Sequence, residues 1–96
     1  MHYLLFYEKV ADYAERQKPL QSAHRDYLQK LTTQGVLILG GSLENPNDGS
    51  AILLFDTPSS DHVESFAKND PYVSQGIIAK WHVRKWDTVV GSGINN

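Results

Sequence analysis

The chain has 96 residues, which is room for one domain and not for a second. Nine basic and eleven acidic side chains leave a net charge of −2. Both signs are mixed along the chain, so there is no basic stripe to neutralise phosphates, and this argues against nucleic acid as a partner. Cysteine is absent, which removes disulfides, thiolate metal sites and a cysteine nucleophile.

The first residues, Met1 to Lys9, carry neither a basic leader nor a small-residue cleavage site. No stretch approaches the roughly 20 apolar residues of a membrane span. The expectation is a soluble, cytoplasmic protein with no membrane partner. Within this opening segment Tyr3 to Tyr7 is an apolar and aromatic run that predicts a strand, and the polar stretch Glu8 to Lys18, without a clean period, predicts a loop. Pro19 suits the first turn of a helix. After it, Leu20, His24, Tyr27, Leu28 and Leu31 recur at spacings of three and four, so an amphipathic helix runs to Gly35.

Val36 to Leu39 predicts a second strand stopping at Gly40-Gly41, and Ala51 to Phe55 a third, with Asn45-Pro46-Asn47-Asp48-Gly49 as turn chemistry between them. Thr57-Pro58-Ser59-Ser60-Asp61 offers capping oxygens for a second helix with Val63, Phe66, Ala67 and Asp70 on one stripe. Pro71 ends that helix by pushing residue 70 out of the helical region. Ile77 to Val90 alternates in part and predicts the last strand. Residues 1–90 therefore form the domain, with 91–96 a small, polar, flexible tail.

Strand, helix, strand, strand, helix, strand is the ferredoxin-like βαββαβ order, an α+β fold with an antiparallel sheet and two helices on one face. The first three strands are apolar at consecutive positions, whereas a half-exposed antiparallel sheet should alternate. A chain this short also buries only about 60 to 70 % of its unfolded surface. Both points predict a homodimer that packs the second sheet face on another copy.

Counting strand directions in an antiparallel sheet brings the start of helix one and the end of helix two to the same edge, with Tyr7 and Gly40-Gly41-Ser42. His24 and Asp70 thus share one end of the fold, each on an inward stripe, where an unpaired polar group costs about 1 to 3 kcal/mol. Pairing would relieve both. A histidine held by a carboxylate keeps a defined tautomer and suits general acid and base work near neutral pH. The same contact is equally open to a purely structural reading. Gly41 and Ser42 allow a ligand close to the backbone, and Tyr7 and Tyr72 fall at the pocket rim.

His2, His62 and His82 have no spacing that would make metal ligands of them with His24, and HExxH is absent. No glycine pattern matches a dinucleotide or phosphate loop, so no cofactor is expected.

The ordered set Ala23-His24, Tyr27-Leu28, Gly35, Gly41-Ser42-Leu43, Gly49, Asp70-Pro71-Tyr72, Gly76 and Trp86 resembles the YCII-related (YciI-like) family of the dimeric α+β barrel superfamily. The resemblance implies a ferredoxin-like protomer, a homodimer built through the sheet faces, and an active site at His24 and Asp70 for a small-molecule ligand. Because relatives include one that removes chloride from a chlorinated hydroxyhydroquinone, it also implies lyase or isomerase chemistry. Many members carry an arginine three residues before the histidine; here that position is Gln21. Arg25, about 100° round the helix from His24, is not an obvious replacement. The competing reading is a non-catalytic binding or accessory module that uses the same pocket.

Overall fold

In the computed structural model, which describes residues 1–94, four strands form one antiparallel sheet in the order β2-β3-β1-β4. The strands are β1 (His2–Lys9), β2 (Leu37–Ser42), β3 (Ala51–Asp56) and β4 (Ile78–Trp86). The helices are α1 (Tyr13–Arg16), α2 (Gln21–Thr33), α3 (Ser60–Asn69) and α4 (Pro71–Ser74). The βαββαβ frame expected from the sequence is present, with two short helices added to it.

β1 lies at the centre because it pairs on both sides, Leu5 facing Leu53 of β3 and Val83 of β4. Its alternation sorts the side chains. Tyr3, Leu5 and Tyr7 are buried with Leu53, Phe55, Val63, Phe66 and Ala67, so this face of the sheet carries the helices and the core. Leu4, Phe6, Ile52 and Leu54 point to the opposite face, paired Leu4 with Leu54 and Phe6 with Ile52. There the Phe6 ring stacks on His82 of β4 at 4.7 Å.

The segment after β1 departs from the expected loop. Glu8 and Lys9 extend the strand, Tyr13–Arg16 forms a single helical turn, and Lys18–Leu20 forms a 3-10 turn that leads into α2. A four-residue exposed helix has no room for an apolar period, so pattern reading passes over it. Pro19 sits inside the 3-10 turn, and α2 begins at Gln21 rather than at the proline. Its end follows the expectation: Gly35 at φ +76 takes the left-handed turn, and Val36 N–H closes back on Leu31 O at 3.0 Å.

β2 runs through Gly40 and Gly41 to Ser42 instead of stopping at the glycines, with a register shift between Leu37 and Leu39. The last strand ends at Trp86, short of Val90. Ser59 caps α3 without a side-chain hydrogen bond. The Thr57 hydroxyl instead meets Nδ1 of His62 at 2.7 Å, tying the first turn of α3 to the end of β3. Of the tail, Gly91 to Ile94 close a turn through Ile94 N–H and Gly91 O at 3.2 Å; residues 95 and 96 lie outside the described residues. No helix among the described residues is long and apolar enough to cross a membrane.

Candidate active site

The site is built around Asp70, and Pro71 explains why it is there. Proline disfavours the helical region for the residue before it, and Asp70 accordingly sits at φ −68, ψ 127, ending α3 and opening α4. In that extended conformation its carboxylate turns back to cap α4, Oδ1 accepting from Tyr72 N–H at 3.0 Å. The side chain is completely buried.

A carboxylate buried to this degree needs donors, and it has three. The Tyr7 hydroxyl donates to Oδ2 at 2.8 Å, Nδ1 of His24 lies 2.8 Å from Oδ1, and Tyr72 supplies its backbone N–H. An ionised carboxylate only accepts, so the proton in the His24 contact belongs to Nδ1. Nε2 is left as the other polar atom of the ring, and it bonds to no described residue. The His24 imidazole also lies flat on the Tyr72 ring, centroids 3.7 Å apart and planes 6° from parallel. Stacking and the carboxylate together fix both the tilt and the tautomer of the histidine. No buried side-chain nitrogen or oxygen among the described residues lacks a partner.

The Tyr7 hydroxyl is pushed far above its ordinary range, first by burial and then by the negative charge of Asp70 beside it. It is therefore a hydrogen-bond donor at any physiological pH. Tyr72 is raised for the same two reasons, and the positive charge of Arg25 works against that rise.

Beside this group opens a cavity of about 370 Å³, between α2 and the length of β2, reaching the end of β1 and the start of β3. Tyr7, His24, Gly41, Ser42 and Tyr72, all expected at the pocket, line it together. Asp70 does not. It stands behind Tyr7 and His24 and acts on the cavity through them. Of the expected pair, His24 lines the cavity and Asp70 holds it from behind. A side chain at Gly41 would meet nothing within 4 Å, so close backbone packing does not require glycine there.

Two cations line the cavity that the sequence analysis did not assign to it, Lys9 and Arg25. Lys9 was legible in principle, because strand alternation puts it on the same face as Tyr7, one step nearer the edge. Its ammonium lies 5.1 Å from the Tyr13 ring centroid and 5.3 Å from that of Tyr72, and donates to Oε1 of Gln17 at 3.1 Å. Burial lowers its proton affinity, against the opposing pull of Asp70. The 100° between Arg25 and His24 does not keep Arg25 from the cavity wall. The 24, 28, 31 stripe of α2 faces inward, but the adjoining stripe of Arg25, Gln29 and Thr32 forms a wall of the same cavity. Gln21 is not among the lining residues.

The other histidines have separate uses. His2 bonds through Nδ1 to the Thr88 hydroxyl at 2.7 Å, His62 to Thr57, and His82 stacks on Phe6. No three histidine or carboxylate side chains among the described residues gather as a metal-binding group.

The family model for the YCII-related domain matches residues 1–87. No curated protein matches the chain in sequence. Among solved structures the chain is similar to 5-chloro-2-hydroxyhydroquinone dehydrochlorinase of Burkholderia phenoliruptrix, determined in complex with 2,5-dihydroxybenzoquinone. The TM-score is 0.77 at 23% identity over 91% of this chain and 94% of that one, a likeness of fold.

Proposed function

The chain belongs to the YCII-related domain family, and on that footing we propose that it is an enzyme whose His24 moves a proton on a small-molecule substrate. The observation that carries this reading is the 2.8 Å contact between Nδ1 of His24 and the buried Asp70, which leaves Nε2 as the free atom of a ring that lines a cavity. Nε2 takes a proton from the substrate as general base and returns one as general acid. Asp70 is the positioning residue: it holds the ring and stabilises the imidazolium while the proton is on it.

The reaction class is lyase or isomerase. If the electron pair of the broken C–H bond forms a double bond as a leaving group departs, the outcome is elimination. If Nε2 returns the proton to another atom, the outcome is isomerisation. Tyr7, Gly41, Ser42 and Tyr72 form the binding surface in both cases, and a similar fold with a quinone bound in the dehydrochlorinase supports a ring compound as the ligand class.

The working unit is a homodimer joined through the open sheet faces. Leu4, Phe6, Ile52 and Leu54 are half-buried on that face, and Leu39 beside them is 65% exposed, an apolar surface that a second copy would cover.

The test is a ligand screen by thermal shift with small ring compounds, 2,5-dihydroxybenzoquinone included, followed by turnover of each hit. Wild type should convert at least one hit. His24→Ala should remove turnover, and Asp70→Asn should lower it by about 10²-fold or more while leaving binding largely in place. Binding without turnover by the wild type would replace the enzyme with a binding module.

A further inference from the structure

Lys9 and Arg25 reach the cavity from two elements, the end of β1 and the second turn of α2, and neither has a carboxylate partner among the described residues. The ion pairs among the described residues use the N-terminus, Arg16, Lys18 and His24. Lys9 spends one donor on the neutral amide of Gln17 and otherwise lies over two aromatic rings. Arg25 makes no hydrogen bond to a described residue. No aspartate or glutamate among the described residues lines the cavity. Asp70, the carboxylate behind it, is already occupied by three donors. Two cations against that one carboxylate leave an excess of one positive charge, and the half-buried Lys9 ammonium, which feels Asp70 only at a distance and has no ion-pair partner among the described residues, is held at a cost in solvation. Much of the remaining wall is aliphatic, with Leu28, Leu37 and Leu53 facing the same space.

We propose that Lys9 and Arg25 form an anion-binding pair that selects a small monoanion with an apolar body, its charge carried by a carboxylate or an ionised ring hydroxyl. The proposal rests on the reading of this cavity as the substrate site and names the chemical class that enters it. Arg25, exposed on α2, meets the anion at the mouth, and its planar fork suits two oxygens. Lys9, steadied by Gln17, Tyr13 and Tyr72, supplies the inner charge. The cavity thereby carries its own cations and needs none from position 21. The Leu28, Leu37 and Leu53 surface takes the rest of the ligand.

The experiment is an amide-resolved NMR titration of the whole chain with two matched probe pairs: benzoate against benzamide, and 4-nitrophenolate against 4-nitroanisole. The charged member of at least one pair should shift the amides of Ser42, Tyr72 and residues around His24, and should bind about 10-fold or more tightly than its neutral partner. Added salt should erode that advantage. Lys9→Met and Arg25→Gln should each abolish most of it with spectral dispersion unchanged, and Lys9→Arg should retain part of it. Equal affinity for charged and neutral probes, or variants that bind the anions as well as wild type, would overturn the anion pair. Neutral probes that bind here while anions do not would sink the pair and leave the cavity standing as a ligand site. If no probe of either kind perturbs cavity residues, the pair and the cavity reading fall together.

Discussion

The Tyr7 hydroxyl donates a 2.8 Å hydrogen bond to Oδ2 of Asp70, the carboxylate oxygen that His24 does not use. Both Tyr7 and Asp70 are buried, so the bond has no ready replacement in water. Tyr7→Phe should cost about 1.5 to 3 kcal/mol in urea unfolding, the range for a hydrogen bond to a charged group. An unchanged midpoint would mean that the carboxylate draws its support elsewhere.

The same bond sets an alkaline limit on stability. The Tyr7 proton is held more tightly in the folded chain than in the unfolded one, because burial and then Asp70 oppose its loss. Below about pH 10 both states keep the proton and the difference has no effect. Above it the unfolded chain loses the proton first, and folding stability should fall by up to about 1.4 kcal/mol per pH unit from this residue. Urea midpoints followed upward from neutral pH should bend down at that point, and the bend should be shallower in Tyr7→Phe.

Gly49 is a structural link to the cavity from outside it. It adopts φ +84, and a Cβ there would lie 2.8 Å from two atoms of the Tyr13 ring, which itself packs beside Lys9. Gly49→Ala should destabilise the fold by about 2 kcal/mol through the left-handed backbone and the clash together. It should also displace the Tyr13 ring and with it the Lys9 ammonium. Changed side-chain resonances for Tyr13 and Lys9 in the variant would register this, and unchanged ones would contradict it.

The dimer proposal has a direct readout. Phe6 lies at the middle of the open sheet face, stacked on His82 and paired with Ile52. Light scattering at micromolar concentration should give twice the monomer mass for the wild type and the monomer mass for Phe6→Glu, since a charge forced into an apolar interface is strongly unfavourable. A monomeric wild type would leave the apolar face to another partner.

The order of the main elements was legible because each carries a period or a punctuation mark that acts locally. Leu20 to Leu31 repeats at three and four, Pro71 forces Asp70 out of the helix, and Gly35 closes α2. The meeting of His24 and Asp70 followed from strand direction, since an antiparallel βαββαβ frame brings those two helix ends to one edge. What the sequence concealed depends on tertiary packing. α1 is one turn long and is held by Tyr13 against Gly49 and Lys9, a contact between three segments with no spacing signature. The place of Arg25 at the cavity was missed because a single inward stripe was assumed for α2. No residue of this helix is fully buried, and its neighbouring stripe, though exposed, borders the open cavity. That Asp70 lies wholly behind the cavity wall is likewise a matter of depth, which alternation and helical angle do not encode.

The central claim is that Asp70 holds His24 through Nδ1–H and leaves Nε2 as the proton-transfer atom. Long-range nitrogen–proton NMR of the imidazole, with His24 assigned by comparison with His24→Gln, reads the tautomer without any substrate. The account predicts that the neutral ring carries its proton on Nδ1. A His24 found with the proton on Nε2 would contradict it.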